Sequence, residues 1–447
     1  MAILKSTGLA LAFSFFVVTS GAWLNAPPDI EVENRYVVNA DSTLNISFDV
    51  TDEDGDPVVI TVEKLPTWMS FDRDQNVLTG TPKLWDKGQY EFYIKADDGK
   101  YQKEEAISVL VEVSLSPQEL LDSKLRALYQ TATSGLIGVS AALVTPEGAL
   151  ITAGEGRRSF NRRDVVDPNA QYRVASITKT FTAVLCLKLA EAKLLDIDDP
   201  IAKYIDVGRI PYGKEITIRQ LLNHTSGLID HLNRGDFYTG NWKYRTWTSS
   251  DIIRYTANRR SRFAPGTNYS YSNTGYYLLG LIIEAITEKK LSESFDSWIF
   301  SPLGLQNTFY DDYSDRGNKI PGLAENSRSY EYHLSAVGTA GAIVSTPTDV
   351  AKFGAAVYSG DFLLPASKSE MLKDYTVDES DDYGLGTRMW LDHDIFHIGH
   401  TGTLMGYRSV LMYIPEKKVT IVLCTNQIHR RWYKLVNSLL RDVYWYY

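Results

Sequence analysis

The sequence predicts an α+β chain in two parts, a small all-β sandwich over residues 27–115 and a larger helix-and-strand domain over 119–447. Residues 27–115 alternate apolar and polar at period two, in short runs broken by turn clusters. At Gln118 the spacing changes to that of a helix, running through Glu119-Leu120-Leu121 to Leu128. Beyond it, a nearly all-apolar helical run ends at Leu195, and two hairpin-linked apolar strands follow at 407–414 and 418–424. With 447 residues and roughly 100–200 residues per domain, two or three domains are expected.

From the N-terminus, Lys5 precedes an apolar stretch over residues 8–18 and the small residues Ser20-Gly21-Ala22, the layout of a secretory signal peptide over 1–22. No charge falls between Lys5 and Asp29, so an uncleaved anchor is the competing reading. Thr19, Ser20, Gly21 and Asn25 weaken the anchor. Export to a periplasmic or extracellular location is the expectation.

In the first part, the runs 44–50, 58–62, 90–94 and 107–113 read as sandwich strands. Leu65-Pro66-Thr67-Trp68-Met69-Ser70-Phe71, Leu78-Thr79-Gly80-Thr81-Pro82 and Ala96-Asp97-Asp98-Gly99 resemble the Ig/cadherin-like modules of bacterial surface and exported proteins. Asp52, Asp54, Asp56 and Glu63 have the spacing of a calcium loop, but Pro57 stands where the loop needs glycine and 58–62 has a strand pattern. An Asp-Gly turn is the better reading. Residues 114–117 form a short linker, and no second linker follows.

The net charge of −9 and pI near 5.4 exclude nucleic acid as a partner, since binding to it needs a basic surface. Arginines pair only at 157–158, 162–163, 259–260 and 430–431. Cys186 and Cys424 each sit in an apolar run, so two separate buried thiols are expected and no disulfide framework.

The chemistry centres on Ser176-Ile177-Thr178-Lys179, where a buried helix is expected to begin at the serine. Positions i and i+3 share a helix face, so the Lys179 amine can lie beside the Ser176 hydroxyl as its base. Burial or neighbouring cations must then lower the lysine pKa. Downstream come Phe263-Ala264-Pro265-Gly266 before Tyr271-Ser272-Asn273, and His400-Thr401-Gly402 before the strand pair.

Those three elements, in that order, resemble the signature set of the serine β-lactamase and penicillin-binding superfamily. The segments 221–228, 302–305, 338–341 and 383–386 resemble its class C β-lactamase, D-alanyl-D-alanine carboxypeptidase and esterase branch, over roughly 119–447. The resemblance implies an antiparallel sheet flanked by helices with a helical subdomain, and an acyl-enzyme hydrolase that uses no cofactor and no metal. Its substrate would be a small peptide, amide or ester, first a D-alanyl-D-alanine peptide; an esterase, a β-lactamase and a non-catalytic binder of cell-wall fragments are the alternatives. The sandwich would place the enzyme near a cell-surface polymer or protein partner.

The resemblance assigns the nucleophile to Ser176, its base to Lys179 and the second acid/base group to Tyr271. An unperturbed phenol is a poor base, so the Lys179 cation would have to favour its anion or relay its proton. Asn273 would hydrogen-bond the substrate amide, and His400 and Thr401 would hold its carboxylate. The backbone N–H groups of Ser176 and Thr403 would form the oxyanion hole. Many β-lactamases carry lysine where this chain has His400, so carboxylate capture should weaken between about pH 6 and 8. Arg388 could supply a permanent charge instead. A Ser-His-Asp triad through His224 and Asp230 is rejected, because no Gly-x-Ser-x-Gly elbow surrounds Ser176. A metal site at His393, His397 and His400 is rejected because the last two should point to opposite strand faces.

Overall fold

The structure, a computed structural model, describes residues 25–447 apart from 132–136, 160–164, 233–244, 312–332, 377–381, 405 and 430–431. The expected signal peptide, residues 1–22, lies outside the described residues. The chain divides into two compact units between Ser114 and Leu115.

The first unit holds strands β1 (Asp29–Glu31), β2 (Arg35–Asn39), β3 (Leu44–Ser47), β4 (Asp49–Thr51), β5 (Val59–Glu63), β6 (Met69–Asp72), β7 (Val77–Gly80), β8 (Gly88–Asp97) and β9 (Gln102–Glu112). They form a four-stranded sheet in the order β2-β9-β8-β5, a three-stranded sheet β3-β7-β6 and the pair β1-β4. Alternate residues of β8 and β9 turn inward, so Phe92, Ile94, Ala96, Ile107, Val109 and Val111 meet Ile46 and Leu78 in one interior. At the would-be calcium loop, Asp52 Oδ1 accepts the N–H groups of Asp54 and Asp56 at 3.0 Å. Glu63 lies in β5 and pairs with Lys95 at 3.0 Å.

The second unit begins with α1 (Pro117–Thr131), β10 (Gly138–Val144), β11 (Leu150–Gly156), β12 (Tyr172–Arg173) and α2 (Thr178–Glu191). There follow α3 (Ile218–Leu222), α4 (Ser249–Ala257), α5 (Asn273–Thr287), α6 (Leu291–Phe295), β13 (Phe309–Tyr310) and β14 (Ile343–Ser345). It ends with α7 (Pro347–Gly354), α8 (Pro365–Met371), β15 (Asp382–Tyr383), β16 (Arg388–Asp392), β17 (Ile395–Leu404), β18 (Tyr407–Ile414), β19 (Val419–Thr425) and α9 (Trp432–Tyr446).

A seven-stranded antiparallel sheet, β11-β10-β19-β18-β17-β16-β15, is the backbone of this unit. Strands β10, β19 and β18 are mostly apolar and buried along nearly their whole length because both faces of the sheet are covered. Ala141, Leu143, Val410, Met412, Ile421 and Leu423 pack with Leu121 and Leu125 of α1 and with Trp432, Leu439 and Leu440 of α9. Ala142, Leu411, Val422 and Cys424 face α2, α5 and α7 on the other side. That second interior is the larger one, and the helical region α3–α6 extends it. Cys186 and Cys424 are both buried and unbridged.

Candidate active site

Ser176 lies in a single 3-10 turn, Ala175–Ile177, and α2 starts only at Thr178. Ala175 holds a left-handed φ of 52°, at a cost of about 1–2 kcal/mol for a residue with a Cβ. The turn is fixed from both sides. Val174 N–H donates to the Ile343 carbonyl at 3.1 Å, and Ser409 Oγ donates to the Val174 carbonyl at 2.8 Å. β17 closes against it through Gly402, where a Cβ would come within 2.2 Å of the Val174 oxygen. Gly386 does the same below α2, with φ 68° and a would-be Cβ 2.7 Å from the Lys179 oxygen.

One helical turn beyond the serine, Lys179 is completely buried. Its Nζ lies 3.2 Å from Ser176 Oγ and donates to Asn273 Oδ1 and to the Ala340 carbonyl, each at 2.7 Å. Burial pulls its pKa down to about 7; Asp230 opposes that and the Arg388 cation adds to it. Near neutrality the amine is therefore free of its extra proton about half the time.

Tyr271 is hydrogen-bonded to Ser176, and the Lys179 Nζ stands 4.9 Å from its ring centroid. Burial pushes the Tyr271 phenol upward, more strongly than Ser176 and Arg388 pull it down. At rest the phenol keeps its proton, so of the two parts expected of the Lys179 cation, favouring the phenolate or relaying the proton, the relay is the one that fits. The His224 ring lies against Tyr271 at 4.2 Å. His224 is buried with φ 63°, its Nδ1 accepts the Ser272 N–H at 3.1 Å, and burial holds it well below the ordinary histidine range.

Asn273 opens α5, and its Nδ2 donates to both oxygens of the buried Asp230, at 3.1 and 3.0 Å. With Oδ1 on Lys179 and Nδ2 on Asp230, the amide is engaged at both ends. Oδ1 keeps a second lone pair, and through it Asn273 can still accept the expected hydrogen bond from a substrate amide N–H.

His400 departs from expectation. It is buried, and burial followed by the Arg388 and Lys179 charges holds its pKa well below 6.5. Its Nδ1 lies 2.6 Å from the Thr401 carbonyl, which can only accept, so Nδ1 carries the proton. Nε2 is then the acceptor for the Tyr383 hydroxyl at 3.0 Å. A neutral imidazole with both nitrogens occupied has no charge or donor left for a substrate carboxylate. Arg388, by contrast, lies inside the site, 5.6 Å from the Tyr271 ring centroid and 5.8 Å from that of Tyr383.

Thr401 is half-buried and Thr403 exposed on β17. β16 stays in register with β17 only as far as Gly399, while β18 pairs through Leu404. Residues 400–404 therefore have no registered strand on the β16 side among the described residues. His397 is turned away, stacked on Trp390 at 5.1 Å and 3.6 Å from Asp392. Among the described residues no cluster of His, Cys, Asp and Glu is arranged to hold a metal ion.

Sequence reasoning gave no part to Tyr383, the Ala340 carbonyl or Asp230. The first two lie in the segments 383–386 and 338–341, which carry the family resemblance but no expected role.

A family model for Beta-lactamase matches residues 121–441, and one described as "Putative Ig domain" matches 28–114. Penicillin-binding protein 4* of Bacillus subtilis (strain 168) is 28% identical over 298 residues, covering 61% of this chain and 64% of that protein. The chain spans less than two thirds of the length of the curated relatives it matches. Among solved structures, a D-stereospecific amidohydrolase from Streptomyces sp. is 26% identical with a TM-score of 0.61, covering 68% of this chain and 93% of that one. The D-amino acid amidase of Ochrobactrum anthropi SV3 is 26% identical with a TM-score of 0.63, covering 72% and 98%.

Proposed function

The chain belongs to the Beta-lactamase family, and from that premise we propose that it is a serine hydrolase working through an acyl-enzyme on Ser176. The observation that carries this is the approach of Lys179 Nζ to Ser176 Oγ at 3.2 Å, by an amine that burial brings to about 7. In acylation, neutral Lys179 takes the Ser176 proton as Oγ attacks the substrate carbonyl carbon. The backbone N–H groups of Ser176 and Thr403 receive the oxyanion. Tyr271, which holds its proton at rest, gives it to the leaving nitrogen as the C–N bond breaks. The Lys179 ammonium then returns a proton to the Tyr271 oxygen. Water attacks the ester by the same transfers in reverse, releasing the acid and restoring Ser176.

The open edge of β17 at 400–404 gives an extended substrate a strand to pair with, with Thr401 beside it and Arg388 as the permanent cation for a carboxylate. A substrate amide on the acyl side of a D-configured residue suits the names of the two amidases. A D-alanyl-D-alanine peptide comes first among such substrates. Export, and a surface polymer or protein partner for the N-terminal module, are part of the same proposal.

A panel of a D-alanyl-D-alanine peptide, a D-amino acid amide, a short-chain ester and a cephalosporin tests this on wild type and Ser176→Ala. Turnover of the D-residue amides, with labelling by a fluorophosphonate in wild type alone, is the expected result. Equal labelling of both proteins rules out Ser176; hydrolysis of the ester alone rules out the amide assignment.

A further inference from the structure

We propose that Asp230 is a positioning residue: by gripping the NH2 end of Asn273, it fixes which lone pairs and protons surround the Lys179 amine and so aims that amine at Ser176. The proposal deepens the hydrolase reading and rests on it for its kinetic consequence, but not for its physical one.

An asparagine amide offers an acceptor at one end and two donors at the other, and nothing in its shape decides which end faces a neighbour. Here the decision is made by a carboxylate, which in its ionised form can only accept. Both oxygens of Asp230 take Nδ2 of Asn273, and Asp230 is itself held by the Leu232 N–H at 3.0 Å. Asn273 Oδ1 is thereby turned to Lys179. A neutral amine has two N–H groups and one lone pair. Its two shorter contacts, at 2.7 Å, are to Asn273 Oδ1 and the Ala340 carbonyl, both acceptors, and the third, at 3.2 Å, is to Ser176 Oγ. With both N–H groups consumed, the lone pair is left for the Ser176 hydroxyl proton. Were Asn273 reversed, its NH2 would compete for that lone pair and silence the base.

The other groups around Lys179 do not substitute for Asp230. Arg388 on β16 is a cation and pushes Lys179 the opposite way. Tyr271 and Tyr276 present ring faces, at 4.9 and 5.4 Å. His224, His231 and His400 are buried, and each is held below the usual histidine range, so they bring no charge at neutral pH.

The test is the titration of Lys179 itself, followed by NMR in full-length protein labelled with 13Cε-lysine, the signal assigned with Lys179→Met. In Asp230→Asn the lost charge and the freed Asn273 should lower the Lys179 midpoint by about one pH unit. The kcat/KM on the best amide should fall about 100-fold. The exchange variant Asp230→Asn/Asn273→Asp keeps an amide-to-carboxylate bond but sets the charge directly on Lys179. Its midpoint should rise, by about one to three units. Midpoints within about 0.3 units of wild type in both folded variants overturn the proposal, as does a downward shift in the exchange variant. The titration reads Lys179 whether or not Ser176 acylates, so an inactive wild type showing both shifts supports Asp230 and defeats the hydrolase reading alone.

Discussion

Arg388 and His400 both stand by Tyr383, yet only one of them can carry charge at neutral pH. His400 is neutral because burial, and after it the Arg388 and Lys179 charges, disfavour its cation; its Nδ1 proton goes to the Thr401 carbonyl and its Nε2 accepts from Tyr383. Affinity for a carboxylate-bearing substrate should therefore stay flat between about pH 6 and 8, where a free histidine would titrate, and KM measured across that range checks it. Replacing Arg388 with methionine should raise KM for such a substrate about tenfold or more and leave KM for a neutral ester nearly unchanged. The same replacement removes a cation that holds Lys179 down. Because the neutral amine is the base, wild-type kcat/KM should climb with pH and level off above about 7. In Arg388→Met that rise should move to higher pH. Little of this charge distribution is legible in the chain as a string. Ser176 and Lys179 are one helical turn apart, so their meeting follows from local geometry. Asp230 and Asn273 meet across 43 residues, and the Tyr383 hydroxyl that occupies Nε2 of His400 comes from another strand.

At the scale of elements, the site depends on how closely β17 lies against the serine turn. Gly402 is the contact: a Cβ there would meet Ser409 Oγ and the Val174 oxygen, each at 2.2 Å. The oxygen is backbone and cannot swing aside as a long side chain would, so β17 must retreat. Gly402→Ala should cut acylation of Ser176 by about 100-fold through misplacement alone, with the protein still folded by circular dichroism; unchanged labelling by fluorophosphonate would show the contact to be slack. Strand and helix types were readable because their periods differ, two against 3.6. The starting point of α2 was less so. The expected helix at Ser176 is a 3-10 turn with Ala175 in the left-handed region, and no propensity favours that conformation for alanine. The Val174 carbonyl's bond to Ser409, 235 residues away, is part of what holds it.

The described residues form three separate apolar interiors, one in the first unit and two in the second. That of the first unit is made of residues 30–111 alone, and those of the second come entirely from beyond Leu115. The junction is chemically self-sufficient as well. Glu119 Oε2 accepts both the N–H and the hydroxyl of Ser116, at 2.8 and 2.7 Å, and Ser116 Oγ accepts the Glu119 N–H at 3.3 Å. This reciprocal cap satisfies the start of α1 from within its own turn. Leu120, Leu121 and Leu125 then anchor the helix to the sheet of the second unit. A fragment beginning at Leu115 keeps the cap, the anchor and all the residues of the site. It should fold alone and hydrolyse a small soluble substrate with kcat/KM within about twofold of the full chain, while the full chain should show two calorimetric transitions, one of them absent from the fragment. A single shared transition, or a fragment that precipitates, would show that the units stabilise one another despite their separate interiors. A fragment active on small substrates but weakened on a surface-bound polymer would place the first unit's contribution in targeting rather than in the chemistry at Ser176.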